Sequence, residues 1–86
     1  MSMHDSYIDR MAARFAELEH EWQTLSQTVG NERQLRDLEA DLAVARERLQ
    51  ALRRAGADVT DEMTQSFTQC FERVRAAFVQ ARAKVA

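Results

Sequence analysis

The chain predicts an all-α protein, an antiparallel up-down-up bundle of three helices with coiled-coil-like seams and a single domain over residues 1–86. Three observations carry that prediction. Thirteen apolar positions fall in two helical series without a polar residue among them. A third segment carries a wider apolar stripe. There is no proline, and the two glycines, Gly30 and Gly56, fall between the three segments. A β-rich fold needs far more turn residues than that.

The first series is Ile8, Met11, Phe15, Leu18, Trp22, Leu25 and Val29, in alternating steps of three and four. The second is Leu35, Leu38, Leu42, Ala45, Leu49 and Leu52. At 45% hydrophobic content, chance would place apolar residues at all these positions on the order of once in ten thousand trials or less. Both segments read as amphipathic helices, over about 5–29 and 32–55.

The two series are out of phase. Continuing the first would put the charged Glu32 and Arg36 on the seam. The phase breaks at Gly30-Asn31, where glycine suits the left-handed residue that often follows a helix. Asn31 is placed to cap the next helix, with Gln34 completing a box-like pattern. This predicts a tight hairpin rather than one long helix.

Gly56 marks the second turn, after which Asp58 or Thr60 caps a third helix over about 60–85. Asp61 and Glu62 then sit at its positive end. Met63, Phe67, Cys70, Phe71, Val74, Ala77, Phe78, Ala81 and Val85 cover an arc of roughly 120°. A stripe that wide suits a helix lying in the groove of a hairpin, touching both neighbours.

Charge placement agrees with the topology. The first helix is acidic late (Glu17, Glu19, Glu21), and the second is acidic early (Glu32, Asp37, Glu39, Asp41) and basic late (Arg46, Arg48, Arg53, Arg54). The third ends in Arg73, Arg75, Arg82 and Lys84. In an up-down-up bundle the basic end of the third helix meets the acidic ends of the other two. The basic end of the second meets Asp5, Asp9, Asp58, Asp61 and Glu62. Complementing each helix dipole explains part of the same pattern.

Composition argues against several functions. The N-terminal stretch lacks the basic and apolar regions of a secretory signal, and no apolar run is long enough to span a membrane. A lone cysteine, Cys70, forms no internal disulfide, which suits a reducing cytoplasm. Eleven arginines against one lysine point to a GC-rich bacterial source. No metal is expected, because His4 and His20 are sixteen residues apart with no ligand partner at helical spacing. Cys70 lies on the apolar stripe and reads as a buried, inert thiol. Helical enzymes that grip anionic substrates place charged side chains inside the bundle, whereas this seam is apolar, so neither catalysis nor a cofactor is expected. The net charge of −2 and the absence of aromatics among Arg46, Arg48, Arg53 and Arg54 speak against nucleic acid as a partner. Trp22 and the phenylalanines read as core, with Trp22 near its rim.

Two features exceed what a bundle requires. Residues 22–31 and 63–71 carry no charge, a depletion typical of interface centres; they present Gln23, Gln27, Gln65 and Gln69. The second helix carries a line of small residues, Ala40, Val44, Ala51 and Ala55, opposite its leucine seam. The expectation is a non-catalytic protein-interaction or adaptor module working by helix-face docking, with a weak homodimer through the small-residue line. The alternatives are a dimeric coiled-coil scaffold, in which the narrow seams pair between chains, and a small nucleic-acid-associated regulator using the late arginines of the second helix.

Overall fold

The computed structural model describes residues 3–85, with side chains over 6–84. It is an antiparallel three-helix bundle, with α1 at Met3–Thr28, α2 at Glu32–Ala55 and α3 at Asp61–Val85. The first helix starts two residues earlier than the sequence pattern suggests, so His4 and Asp5 belong to its backbone. The side chains of His4, Asp5 and Val85 lie outside the described residues.

Local chemistry sets each boundary. The Asn31 Oδ1 accepts the Gln34 backbone N–H at 3.1 Å, capping α2 as expected. Gly30 does not take the predicted left-handed conformation; among the described residues only Gly56 has a positive φ. The reversal is spread over Val29, Gly30 and an extended Asn31 (φ −90°, ψ 104°), so no single residue has to make the turn. Gly56 closes α2 instead, at φ 56° and ψ −118°, with its N–H donating to the Leu52 carbonyl. A 3-10 turn over Gly56–Asp58 follows. Thr60, rather than Asp58, caps α3: its Oγ1 accepts the Met63 N–H at 3.2 Å.

Each helix packs on the other two. The bundle measures 43 × 18 × 16 Å, consistent with parallel rods of about 37 Å each. All the seam residues of α1 and α2 are buried except Trp22 and Leu35, which are half-buried. Phe67, Phe71, Val74, Phe78 and Ala81 fill the hairpin groove from α3. Ala45 and Ala81 are fully enclosed, and α2 and α3 approach closely along the greatest length. Trp22 lies at the rim against Phe78, with ring centroids 6.1 Å apart. Val59 is buried too, although it belongs to no periodic series; the turn after Gly56 folds it under the bundle end. Among the described residues no polar or charged side chain is buried.

Polar contacts at the surface accompany this register. The Tyr7 hydroxyl lies 2.6 Å from Thr68 Oγ1 and 3.3 Å from the Thr64 carbonyl, tying the starts of α1 and α3 together. Arg82 meets Glu21 at 3.7 Å, as the charge pattern predicts, and Arg46 meets Glu19 at 2.7 Å. The expected pairing of the basic end of α2 is not formed as contacts: Arg53 and Arg54 make no ion pair among the described residues. Long, exposed side chains lose entropy when held in one geometry, which leaves such pairs about 0–1 kcal/mol.

Truncating the core should be costly. Leu42→Ala and Phe71→Ala should each destabilise by about 2–5 kcal/mol, read from urea unfolding, because each leaves a cavity. The glycines should behave oppositely. A Cβ at Gly30 meets open space without positive φ, so Gly30→Ala should stabilise by about 0.4–1 kcal/mol through the unfolded chain. Gly56→Ala should destabilise by about 1–3 kcal/mol, because residues with a Cβ rarely adopt φ 56° with ψ −118°.

Candidate functional site

The residues singled out from the sequence do not form one surface. Trp22 sits beside Phe78 and Tyr7 beside Thr64 and Thr68, so α1 and α3 run parallel. The charge-free stretch of α1 therefore lies toward one end of the bundle and that of α3 toward the other. Tyr7 and Trp22 are about 22 Å apart along the helix axis, at 1.5 Å per residue. Gln23 and Gln27 are thus remote from Gln65 and Gln69, although all four are exposed.

The small-residue line is also placed differently from the expectation. Ala40 and Val44 are exposed, but Ala51 and Ala55 are half-buried, and Ala55 packs on the core. The line lies about 130° from the centre of the leucine seam, at 100° per residue, which makes it a flank. Because α3 rests in the hairpin groove, it covers the near side of that flank. Val44 and Gln69, from two separate features of the sequence, meet in a groove between α2 and α3. Asp41, Arg48, Cys70 and Arg73 line the same groove. Arg48 spans the seam at one end, its Nη1 donating to the Ser66 carbonyl at 3.3 Å and lying 3.1 Å from Ser66 Oγ. Beyond Arg48, Ala51 lines a second shallow depression with Glu62, Met63 and Ser66.

Electrostatically this seam differs from the other two. An ion pair bridges α1 to α2 (Arg46–Glu19) and α1 to α3 (Arg82–Glu21). Among the described residues none bridges α2 to α3, although Asp41, Arg48 and Arg73 flank that groove. Between them stands Val44, 44% exposed and, among the described residues, one of two large hydrophobic residues left in solvent, with Val79 the other. Val79 lies in the α1–α3 groove among Arg14, Glu17, Glu21, Arg75 and Arg82.

Cys70 is half-buried rather than buried, because it stands at the edge of the stripe that faces the groove. Burial pushes its thiol pKa up; Arg48 pulls it down, Asp41 raises it and Arg73 lowers it. The thiol is therefore protonated near neutral pH and a poor nucleophile. His20 is exposed. Among the described residues no three histidine, cysteine or carboxylate side chains converge to hold a metal ion. No described helix is long and apolar enough to cross a membrane.

From the sequence, Arg48 belongs to the late arginine cluster of α2, and Asp41 and Arg73 enter only through the charge pattern; none is expected in a groove between α2 and α3. Asp41, Val44 and Arg48 share one flank of α2 by their spacing, which is readable; that Gln69, Cys70 and Arg73 stand opposite them depends on which side of α2 receives α3. No protein-family model, curated protein or solved structure matches the chain.

The thiol offers a direct check. Iodoacetamide at neutral pH should modify Cys70 in the native chain more slowly than in urea, read by mass spectrometry; equal rates would contradict its half-burial and raised pKa. The sign for stability follows. The folded pKa lies above the unfolded one, so the contribution is complete below the unfolded pKa and is lost as pH rises through the folded value. Wild type should therefore lose stability at alkaline pH relative to Cys70→Ala.

Proposed function

We propose that the chain is a non-catalytic protein-interaction module that docks protein on a helix face, with the α2–α3 groove as the docking surface. The observation that carries this reading is the groove itself: an exposed valine flanked by charges with no ion partner across the seam. Charged groups placed around an exposed apolar residue form a polar rim around a small apolar centre, the anatomy of a docking site. The wholly apolar interior also supports it, since it offers no enclosed polar constellation in which to orient a substrate. A bacterial cytoplasm belongs to the same proposal, because a reducing compartment suits a lone cysteine.

The nucleic-acid alternative draws on Arg53 and Arg54, which are exposed and make no ion pair among the described residues. Salt separates the two readings. Phosphate contacts release counterions, so DNA affinity through this pair would fall steeply from low to physiological salt. An apolar docking site is much less salt-sensitive.

The experiment is affinity capture from the native host with wild type and Val44→Glu side by side. A protein retained by wild type at physiological salt and lost with Val44→Glu supports the reading. Retention equal in both variants overturns the groove as the site. Salt-sensitive capture of DNA, abolished by Arg53→Ala with Arg54→Ala, would replace the reading with the nucleic-acid one.

A further inference from the structure

We propose that the occupant of the α2–α3 groove is a second copy of this chain, packed antiparallel about a two-fold axis that passes beside Val44. The proposal rests on the docking reading above and names its partner. Its basis is the self-complementary order of charge along the exposed flank of α2.

Asp41 stands three residues before Val44 and Arg48 four residues after it. At 1.5 Å per residue these are about 4.5 and 6 Å from Val44 along the axis, in opposite directions. A two-fold axis through Val44, perpendicular to α2, reverses the facing helix. It then sets Asp41 of each copy level with Arg48 of the other to within about 1.5 Å. The operation forms two such pairs at once and places Val44 against Val44 at the centre, as an isologous interface demands. Like charges stay apart: the two Asp41 side chains lie about 9 Å apart along the axis, and the two Arg48 side chains about 12 Å.

Three features of the single chain favour this occupant. Asp41 is half-buried yet makes no ion pair among the described residues. Arg48 uses only Nη1 within the chain, and a guanidinium has five donors, so others remain for a carboxylate. On the α3 side the axis brings up Gln69, which is uncharged and exposed, while the cationic Arg73 lies one turn further along the same groove.

The test is the mass in solution, by light scattering coupled to size exclusion over a concentration series, with far-UV circular dichroism to verify the fold. Wild type should reach twice the 9.9 kDa chain mass. Asp41→Arg sets two cations face to face, and Arg48→Asp sets two anions, so each single variant should run at 9.9 kDa with helicity unchanged. The double variant restores opposite charges and should recover the dimer. A helical double variant that stays monomeric overturns the pairing, as does a single variant that keeps the dimer mass. Wild type at 9.9 kDa at every concentration overturns the second-copy assignment; the docking reading then stands or falls on the Val44→Glu capture, which needs no self-association.

Discussion

The structure depends on one constraint, the burial of three apolar faces against one another. Leu38, Leu42, Ala45, Leu49 and Leu52 of α2 are enclosed, and these leucines are the apolar mass by which that helix adheres. Because the seam of α1 is out of phase with them, one continuous helix would expose one series or the other. Reversing the chain at Val29–Asn31 lets both face inward. The hairpin still leaves a groove, and the wide stripe of α3, with three phenylalanines buried along it, fills it. Two coiled-coil seams would otherwise need partners from other chains; here a third helix covers them within the chain.

An interior filled in this way leaves chemistry to the surface. No polar side chain is buried among the described residues, so the features that distinguish one side of the molecule from another are charge order and residual apolar exposure. On two seams the charges are used within the chain, in Arg46–Glu19 and Arg82–Glu21. On the third, Arg48 reaches Ser66, but no ion pair forms among the described residues. Ala45 and Ala81 are fully enclosed on that seam. The flanks beside them bring Val44 and Cys70 into one groove, with Asp41 and Arg48 on either side of the valine.

Position on the stripe accounts for Cys70. A cysteine on an apolar stripe reads as core, but on a stripe about 120° wide the edge residues decide exposure. Phe67, Val74 and Phe78 lie within it and are enclosed, while Cys70 and Ala77 lie toward one edge and are half-buried. The thiol thus combines partial access with a pKa raised by burial, and the two neighbouring arginines do not offset that burial.

The sequence by itself determined the helices, the reversals between them and the residues that form the core. Those depend on local chemistry and on a 3.6-residue period, both of which can be read along the chain: the Asn31 cap, the break at Gly30, the turn at Gly56, and the alternation from Ile8 to Val29. Val59 escaped that reading because it is isolated between two turns, with no periodic neighbour to mark it. Gly30 was misread in detail, since glycine permits a left-handed turn without requiring one. What the tertiary structure alone decided is which flank of each helix meets which neighbour. Gln23 and Gln27 share a composition with Gln65 and Gln69, yet the parallel course of α1 and α3 sets the two pairs toward opposite ends. Val44 and Gln69 belong to unrelated stretches, yet the antiparallel course of α2 and α3 joins them. Helical periodicity gives the angle of a side chain about its own axis; the rotation and axial level of the neighbouring helix follow only from how the three faces pack.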